Sequence, residues 1–173
     1  MSTLSTRPSV TDRRPAPGLT AKQVWRTLGR ASFAVVSHAS QTGAPRSSGV
    51  VYTVIDRRLF VVVGADSWKA RHIAADGRVA VTVPVRRGGL MSLLFPIPPA
   101  TISFRASATV YPADSPQGRL VLKLLAKLLP AERRDTSRIV EIRPQGWFVT
   151  YGIGVRLMAM RHPALARSRV PIV

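Results

Sequence analysis

Short β-prone runs separated by polar turns are the feature that most constrains what this chain can fold into. We predict strands at residues 33–37, 49–54, 59–63, 79–83, 101–111, 138–142 and 147–151. The links between the first three runs are short, which favours an antiparallel meander, since parallel neighbours need a crossover of a dozen or more residues. The whole order predicts a mainly β protein, an antiparallel barrel with short helices.

Three helices are predicted between and before these strands. Residues 21–28 follow Thr20, a typical N-cap, and end near Gly29. Residues 66–75 form a second, short helix, and residues 117–129 a third, which Pro130 ends.

The length of 173 residues and the hydrophobic fraction of 46% suit one domain with a real core. Residues 1–18 are basic and rich in proline, and we expect them to form a flexible N-terminal arm. Residues 19–173 then form a single domain. Within it, residues 86–99 are predicted to be an apolar loop broken by prolines, and residues 155–173 a basic C-terminal tail.

The charge of the chain predicts an anionic partner. Lys and Arg number 26 against 8 Asp and Glu, a net charge of +18. A phosphorylated ligand, a nucleic acid or an anionic membrane would each fit. The basic residues are spread along the chain without a nucleic-acid-binding motif, so we expect no specific nucleic acid. The sequence shows neither a signal peptide nor a membrane-spanning run, which predicts a cytoplasmic protein, with membrane association as the alternative.

Other site chemistry has little support in the sequence. The chain contains no Cys, which excludes disulfides and thiolate metal sites. His38, His72 and His162 lack metal-ligand spacing, so we expect no metal site and treat them as surface or hydrogen-bonded histidines. The carboxylates are scattered, and no pair suggests a general acid and base. Catalytic residues therefore stay unassigned.

At motif level, residues 21–111 resemble the flavin-binding split-barrel superfamily, the pyridoxamine-phosphate-oxidase-like proteins. The strand at 46–51, the segment 59–64, and Ser67-Trp68-Lys69 at the opening of a short helix carry the resemblance. It implies a split β-barrel, antiparallel and Greek-key-like, and a homodimer with the cofactor in a cleft between subunits. It also implies an oxidoreductase that transfers a hydride to or from a small organic substrate with FMN or a deazaflavin, coenzyme F-420. Related barrels bind haem-type ligands, so a non-catalytic binder of a cofactor or a lipid-like ligand is the alternative.

A phosphorylated cofactor needs cationic side chains and free backbone N–H groups, which a helix N-terminus offers. Ser67 and Lys69 stand at such a position, and Arg46 on a neighbouring strand can add a bidentate contact. The resemblance implies these cofactor-binding residues: Arg46, Ser47, Ser48, Val62, Val63, Ser67, Trp68 and Lys69. Trp68 stands where many family members have Arg, which favours a stacking role or a different cofactor. The alternatives are solvated charges at Arg46 and Lys69, a plain helix cap at Ser67, and packing of Trp68 in the core or dimer interface.

Two apolar segments predict contact with an anionic membrane surface or a lipid-like ligand. Residues 90–97 follow Arg86 and Arg87. The helix at 117–129 carries a narrow basic stripe on an otherwise apolar surface, and its burial between the barrel and a dimer partner is the alternative.

The last predicted strand, residues 147–151, would leave Trp147, Phe148 and Tyr151 partly exposed in an isolated barrel. This exposure supports the homodimer, in which these residues and Arg156 would contact the partner's cofactor. Core packing and a solvated tail are the alternative.

Overall fold

Antiparallel strands dominate the structure, a computed structural model that describes residues 18–87, 99–124 and 136–173. The strands are β1 (Phe33–Ala39), β2 (Pro45–Ile55), β3 (Arg58–Gly64), β4 (Arg78–Val85), β5 (Ala100–Pro112), β6 (Ser137–Tyr151) and β7 (Arg167–Pro171). The helices are α1 (Ala21–Arg30), α2 (Trp68–Asp76), α3 (Pro116–Leu124), α4 (Pro163–Ala166) and a 3₁₀ helix (Leu157–Arg161). The strands and helices predicted within these ranges are present, with ends that differ by a few residues.

The strand order is β3-β2-β1-β4-β5-β6-β7, and β3 also pairs with β6. This additional pairing closes six strands into a barrel, and every pairing in it is antiparallel. The predicted antiparallel barrel is therefore confirmed. Closure pairs the edge of β3 with β6, which removes the edge that β3 would otherwise offer to other chains.

Strand β6 corrects the prediction of two separate strands at 138–142 and 147–151, since it runs without a break over 15 residues. One edge of β6 pairs with β5. The other edge pairs first with β3, up to Ile142, and then with β7, from Trp147 onward. Pro144 and Gly146 lie between the part of β6 that pairs with β3 and the part that pairs with β7. On this stretch of the edge, the missing N–H of Pro144 and the positive φ of 75° at Gly146 are tolerated.

The basic tail predicted at 155–173 contains a strand that the sequence analysis missed. β7 is 5 residues long and pairs with the end of β6. Ser168 and Val170 are buried and Arg167 is exposed. These residues follow the period-two pattern of a strand, but the pattern is too short, and too rich in arginine, to predict a strand from the sequence. β7 forms because β6 extends beyond β3 and offers it an unpaired edge.

Helix α1 packs against the barrel core through Val24, Trp25 and Leu28. Its N-terminus is a capping box between Thr20 and Gln23, which confirms the prediction of Thr20 as the N-cap.

An aromatic cluster joins α1 to the barrel. Phe148 on β6 meets Trp25 edge-on at 5.2 Å and Phe104 at 5.4 Å between ring centroids. Phe148 is fully buried, so the expectation that it is partly exposed was wrong. Trp147 is 45% exposed and Tyr151 is half-buried, as predicted, because neighbouring residues of a strand face opposite sides of the sheet.

Several predictions fall on residues outside the described ranges. These are residues 1–17 of the arm, 88–98 of the apolar loop and 125–129 of the third helix. Of the helices within the described ranges, none is long and apolar enough to cross a membrane.

Candidate functional site

Helix α2 begins as the sequence predicted. Ser67 is its N-cap, and the Ser67 Oγ accepts a hydrogen bond from the Ala70 N–H at 3.2 Å. The helix ends at Gly77, whose φ of 72° suits a left-handed cap. The N–H groups of Trp68 and Lys69 lie in the first turn, beyond the reach of the helix's own carbonyls. The Ser67 hydroxyl accepts from Ala70, so its hydrogen remains available to a ligand.

Helix α2 packs against β1, β3 and β5, and buries Ala70 and Ile73 in the core. This packing brings Trp68 and His72, one turn apart, over His38 on β1. The ring centroids lie 5.5 Å apart for His38 and Trp68, 5.6 Å for His38 and His72, and 5.7 Å for Trp68 and His72. We call these three residues the ring cluster.

The ring cluster contains buried nitrogen atoms with no hydrogen-bond partner among the described residues. They are Nδ1 and Nε2 of His38 and Nδ1 of His72. His38 is only 7% exposed. A buried polar group without a partner costs about 1–3 kcal/mol, so any molecule that hydrogen-bonds here stabilises the fold.

The protonation of His38 follows from its surroundings. Burial, then the neighbouring His72 and Lys69 side chains, lower the pKa of His38 from its usual value of 6.5. The ring is therefore neutral at pH 7, with one nitrogen that donates and one that accepts.

The register of β1 and β2 separates the predicted residues on β2. Arg46 is opposite His38, Ser47 opposite Ser37, and Ser48 opposite Val36. Directly opposed residues project from the same face of a sheet, so Arg46 shares the face of His38. Ser47 projects from the other face, where its Oγ lies 2.8 Å from the Ser37 Oγ.

Val62 and Val63 point to opposite sides of β3. Val63 lies in the barrel core. Val62 packs instead on a smaller cluster that contains Phe60, Val121 and Ile139. The two residues therefore do not line one surface, and the predicted contact of both with a flavin ring stays untested.

Two histidines contribute to the site that were not predicted from the sequence. His38 was expected to be on the surface or hydrogen-bonded, whereas it is buried and has no hydrogen-bond partner among the described residues. Its position is visible in the alternation of β1, where Ala34, Val36 and His38 are the buried residues. The proximity of His72 was not visible, since no local pattern shows which strand a helix covers.

Glu141 is the buried carboxylate of the described ranges, at 1% exposure. Its Oε1 accepts from Arg58 on β3 at 3.1 Å and from Arg143 at 2.5 Å. Glu141 thus pairs with two arginines through Oε1 at the seam that closes the barrel, while its buried Oε2 has no hydrogen-bond partner among the described residues. The part of the chain that the structure describes holds no group of three side chains suited to a metal ion.

Comparisons with known proteins agree with this geometry at the level of the fold. No family model matches the sequence, and no curated protein matches it. Solved structures do. HutZ, the haem storage protein of Vibrio cholerae, superposes with a TM-score of 0.63 at 13% identity, over 79% of this chain and 98% of HutZ.

Two further structures show the same likeness. An F-420 reductase has a TM-score of 0.53 at 21% identity, over 71% of this chain and 93% of its own. A FAD-binding protein from Mesorhizobium loti has a TM-score of 0.57 at 17% identity, over 73% and 91%. This chain therefore has the split-barrel fold of the pyridoxamine-phosphate-oxidase-like proteins, which confirms the fold implied by the resemblance.

Proposed function

We propose that this chain binds a phosphorylated flavin-type cofactor, FMN or the deazaflavin F-420, and uses it to transfer a hydride to or from a small organic substrate. One observation carries the proposal. The free N-terminus of α2 lies beside the ring cluster, on the sheet face that also bears Arg46.

The roles of the residues follow from the chemistry of a phosphate. The first-turn N–H groups and the Ser67 hydroxyl donate hydrogen bonds to it, and the helix dipole favours its charge. Lys69 and Arg46 supply positive charge from the helix and from β2. Trp68 is 41% exposed and presents an aromatic face to a planar ring system.

The neutral imidazoles of His38 and His72 complete the site. Their unpartnered nitrogens can hydrogen-bond to polar atoms of the cofactor, which offsets the cost of their burial. The bound flavin or deazaflavin supplies the hydride chemistry, while the protein binds and orients it. Such a reaction does not need a carboxylate of the protein as acid or base. This is consistent with Glu141, the buried carboxylate of the described residues, which already pairs with two arginines.

Titration of the purified protein with FMN and with F-420 tests the proposal. Lys69→Ala should weaken the binding of the cofactor by about 1.5–3 kcal/mol, or about 10- to 150-fold, through loss of one charge-assisted contact. Arg71→Ala is the matched control, because it removes the same charge from the same helix about 200° away around the axis. The proposal fails if neither cofactor binds. If both variants bind the cofactor as tightly as the unchanged protein, Lys69 is not part of the binding site.

Haem binding without catalysis is the second candidate function. The unpartnered nitrogens of His38 and His72 favour it, because an imidazole is a common axial ligand of haem iron. HutZ, a haem storage protein, has the same fold. A haem titration followed by the Soret band distinguishes the candidates, since saturation with haem but not with either flavin would select this one.

We also propose that the protein works as a homodimer. Gly49, Val35, Thr82, Ser103 and Val149 lie in register across five neighbouring strands. We call this uncharged row the outer band.

The outer band continues at one end into two exposed apolar residues. Phe33 is 46% and Val51 66% exposed, and they are opposed in register. On β7, Arg169 is opposite Val149 and ends this uncharged row. In a chain with a net charge of +18, the uncharged stretch from β2 to β6 is where two copies can approach with least repulsion.

Light scattering tests the dimer. Val51→Lys should dissociate it towards the 18.8 kDa monomer, because it places two like charges in a buried interface. Leu120→Lys makes the same change on α3, at a residue outside the outer band. It should leave the dimer intact if the outer band is the interface, and would dissociate it if α3 packs against the partner. A monomeric unchanged protein at micromolar concentration would contradict the proposal.

A further inference from the structure

Residues 156–167, which we call the interfacial segment, present apolar and basic side chains together on the surface. Leu157 is 42%, Met158 63% and Leu165 61% exposed. Three arginines at positions 156, 161 and 167 alternate with them along the segment and are exposed as well.

Contacts with the barrel hold the segment in place, so its Leu and Met side chains are exposed in the folded protein. Met160 is buried and packs against Gly152, whose missing side chain makes room for it. The Tyr151 hydroxyl donates to the Met160 carbonyl at 2.6 Å. Arg87 donates to the Val155 carbonyl and contacts the Met160 sulfur at 2.9 Å.

The sequence of the segment and of the residues on either side of it carries charge of one sign. No Asp or Glu follows Glu141 in the sequence, whereas Arg156, Arg161, Arg167 and Arg169 all do. A surface with protruding Leu and Met side chains between arginines is typical of segments that lie in the interface of an anionic membrane.

We propose that the interfacial segment docks on an anionic lipid surface, with Leu157, Met158 and Leu165 among the headgroups and the arginines against lipid phosphates. Each basic residue near such a surface strengthens binding by about fivefold, so three support reversible attachment. This contact lies elsewhere than the two segments from which the sequence predicted membrane contact.

Charge distinguishes lipid from other occupants. A second copy of this chain would bring the same arginines to the segment, and like charges facing each other oppose such a contact. Nucleic acid would engage the arginines but would leave the protruding Leu and Met side chains without a partner.

Co-sedimentation with vesicles tests the proposal. The unchanged protein should sediment with phosphatidylserine–phosphatidylcholine vesicles, less so as salt is raised, and not with pure phosphatidylcholine vesicles. Met158→Glu with Leu165→Glu should weaken this binding by at least about tenfold. Leu120→Glu with Leu124→Glu makes the same change in net charge at residues of α3 that are 54% and 57% exposed. Because α3 is part of the helix from which the sequence predicted membrane contact, this variant compares the two candidate surfaces and should lose less binding than the first.

Three outcomes would overturn the proposal. One is the absence of binding to anionic vesicles at low salt, and another is an equal loss in both double variants. The third is dissociation of a dimer by Met158→Glu with Leu165→Glu while vesicle binding is retained, because a second copy would then cover the segment. Near-ultraviolet circular dichroism of each variant checks that the fold is kept.

Discussion

Ser67 serves as a helix cap and, in the proposed function, as a phosphate ligand, and one pair of substitutions separates the two roles. Asn and Asp both cap helices about as well as Ser, so Ser67→Asn and Ser67→Asp should keep the hydrogen bond now made with the Ala70 N–H. Both variants should unfold in urea within about 1 kcal/mol of the unchanged protein. They have nearly the same shape and differ by one negative charge.

The size of the expected difference follows from the position of the cap. An anion bound by the first-turn N–H groups would lie roughly 4 Å from the side-chain oxygen at position 67. Two unit charges at this distance repel by about 1 kcal/mol in water and about 4 kcal/mol at the effective dielectric constant near a protein surface. The Asp variant should therefore bind FMN or F-420 about 5- to 900-fold more weakly than the Asn variant.

A fluorescence titration with each cofactor at two salt concentrations measures this difference. The gap between the variants should narrow as salt is raised, because the site is partly open to solvent. Equal affinities in two variants of normal stability would refute the reasoning, since an anion at the N-terminus of α2 cannot be indifferent to a carboxylate beside it.

Two further predictions concern stability in urea. Gly29→Ala in α1 should stabilise the fold by about 0.5–1 kcal/mol, since its added Cβ meets nothing within 4 Å. Gly118→Ala in α3 should destabilise it by more than about 1 kcal/mol, because that Cβ would lie 2.4 Å from the Pro112 carbonyl oxygen. Folding lowers the pKa of His38 from 6.5, so as the pH falls the imidazole is protonated in the unfolded chain before it is protonated in the folded one. The free energy of unfolding should therefore decline as the pH falls from 6.5 to the lowered pKa of the folded state. His38→Gln should remove part of that decline while His162→Gln, at an exposed position, should not, and an unchanged profile in His38→Gln would contradict the assignment.

Much of the fold was predictable because its signals are local. Apolar residues repeat every second position in the strands, and Thr20 and Ser67 cap their helices through neighbouring backbone groups. The residues that α2 contributes to the candidate site were predicted from the same local signals, since the Ser67 cap and Lys69 belong to one turn of helix.

The predictions that failed depended on partners far away in the sequence. Two separate strands were predicted where β6 runs through Pro144 and Gly146, and the strand continues there because β5 pairs along its other edge. β7 was missed because five residues have no strong pattern and are ordered by the end of β6.

The amino-acid sequence alone thus determined the antiparallel strands, the helix caps and the excess of positive charge, each of which depends on residue type and short-range spacing. Only the tertiary structure decided that α2 places His72 and Trp68 over His38, that Arg46 lies opposite His38, and that Leu157, Met158 and Leu165 stay exposed. The physical reason is barrel closure. Once β3 pairs with β6, the register of every strand is set, and with it the face on which each side chain lies and the neighbours it meets.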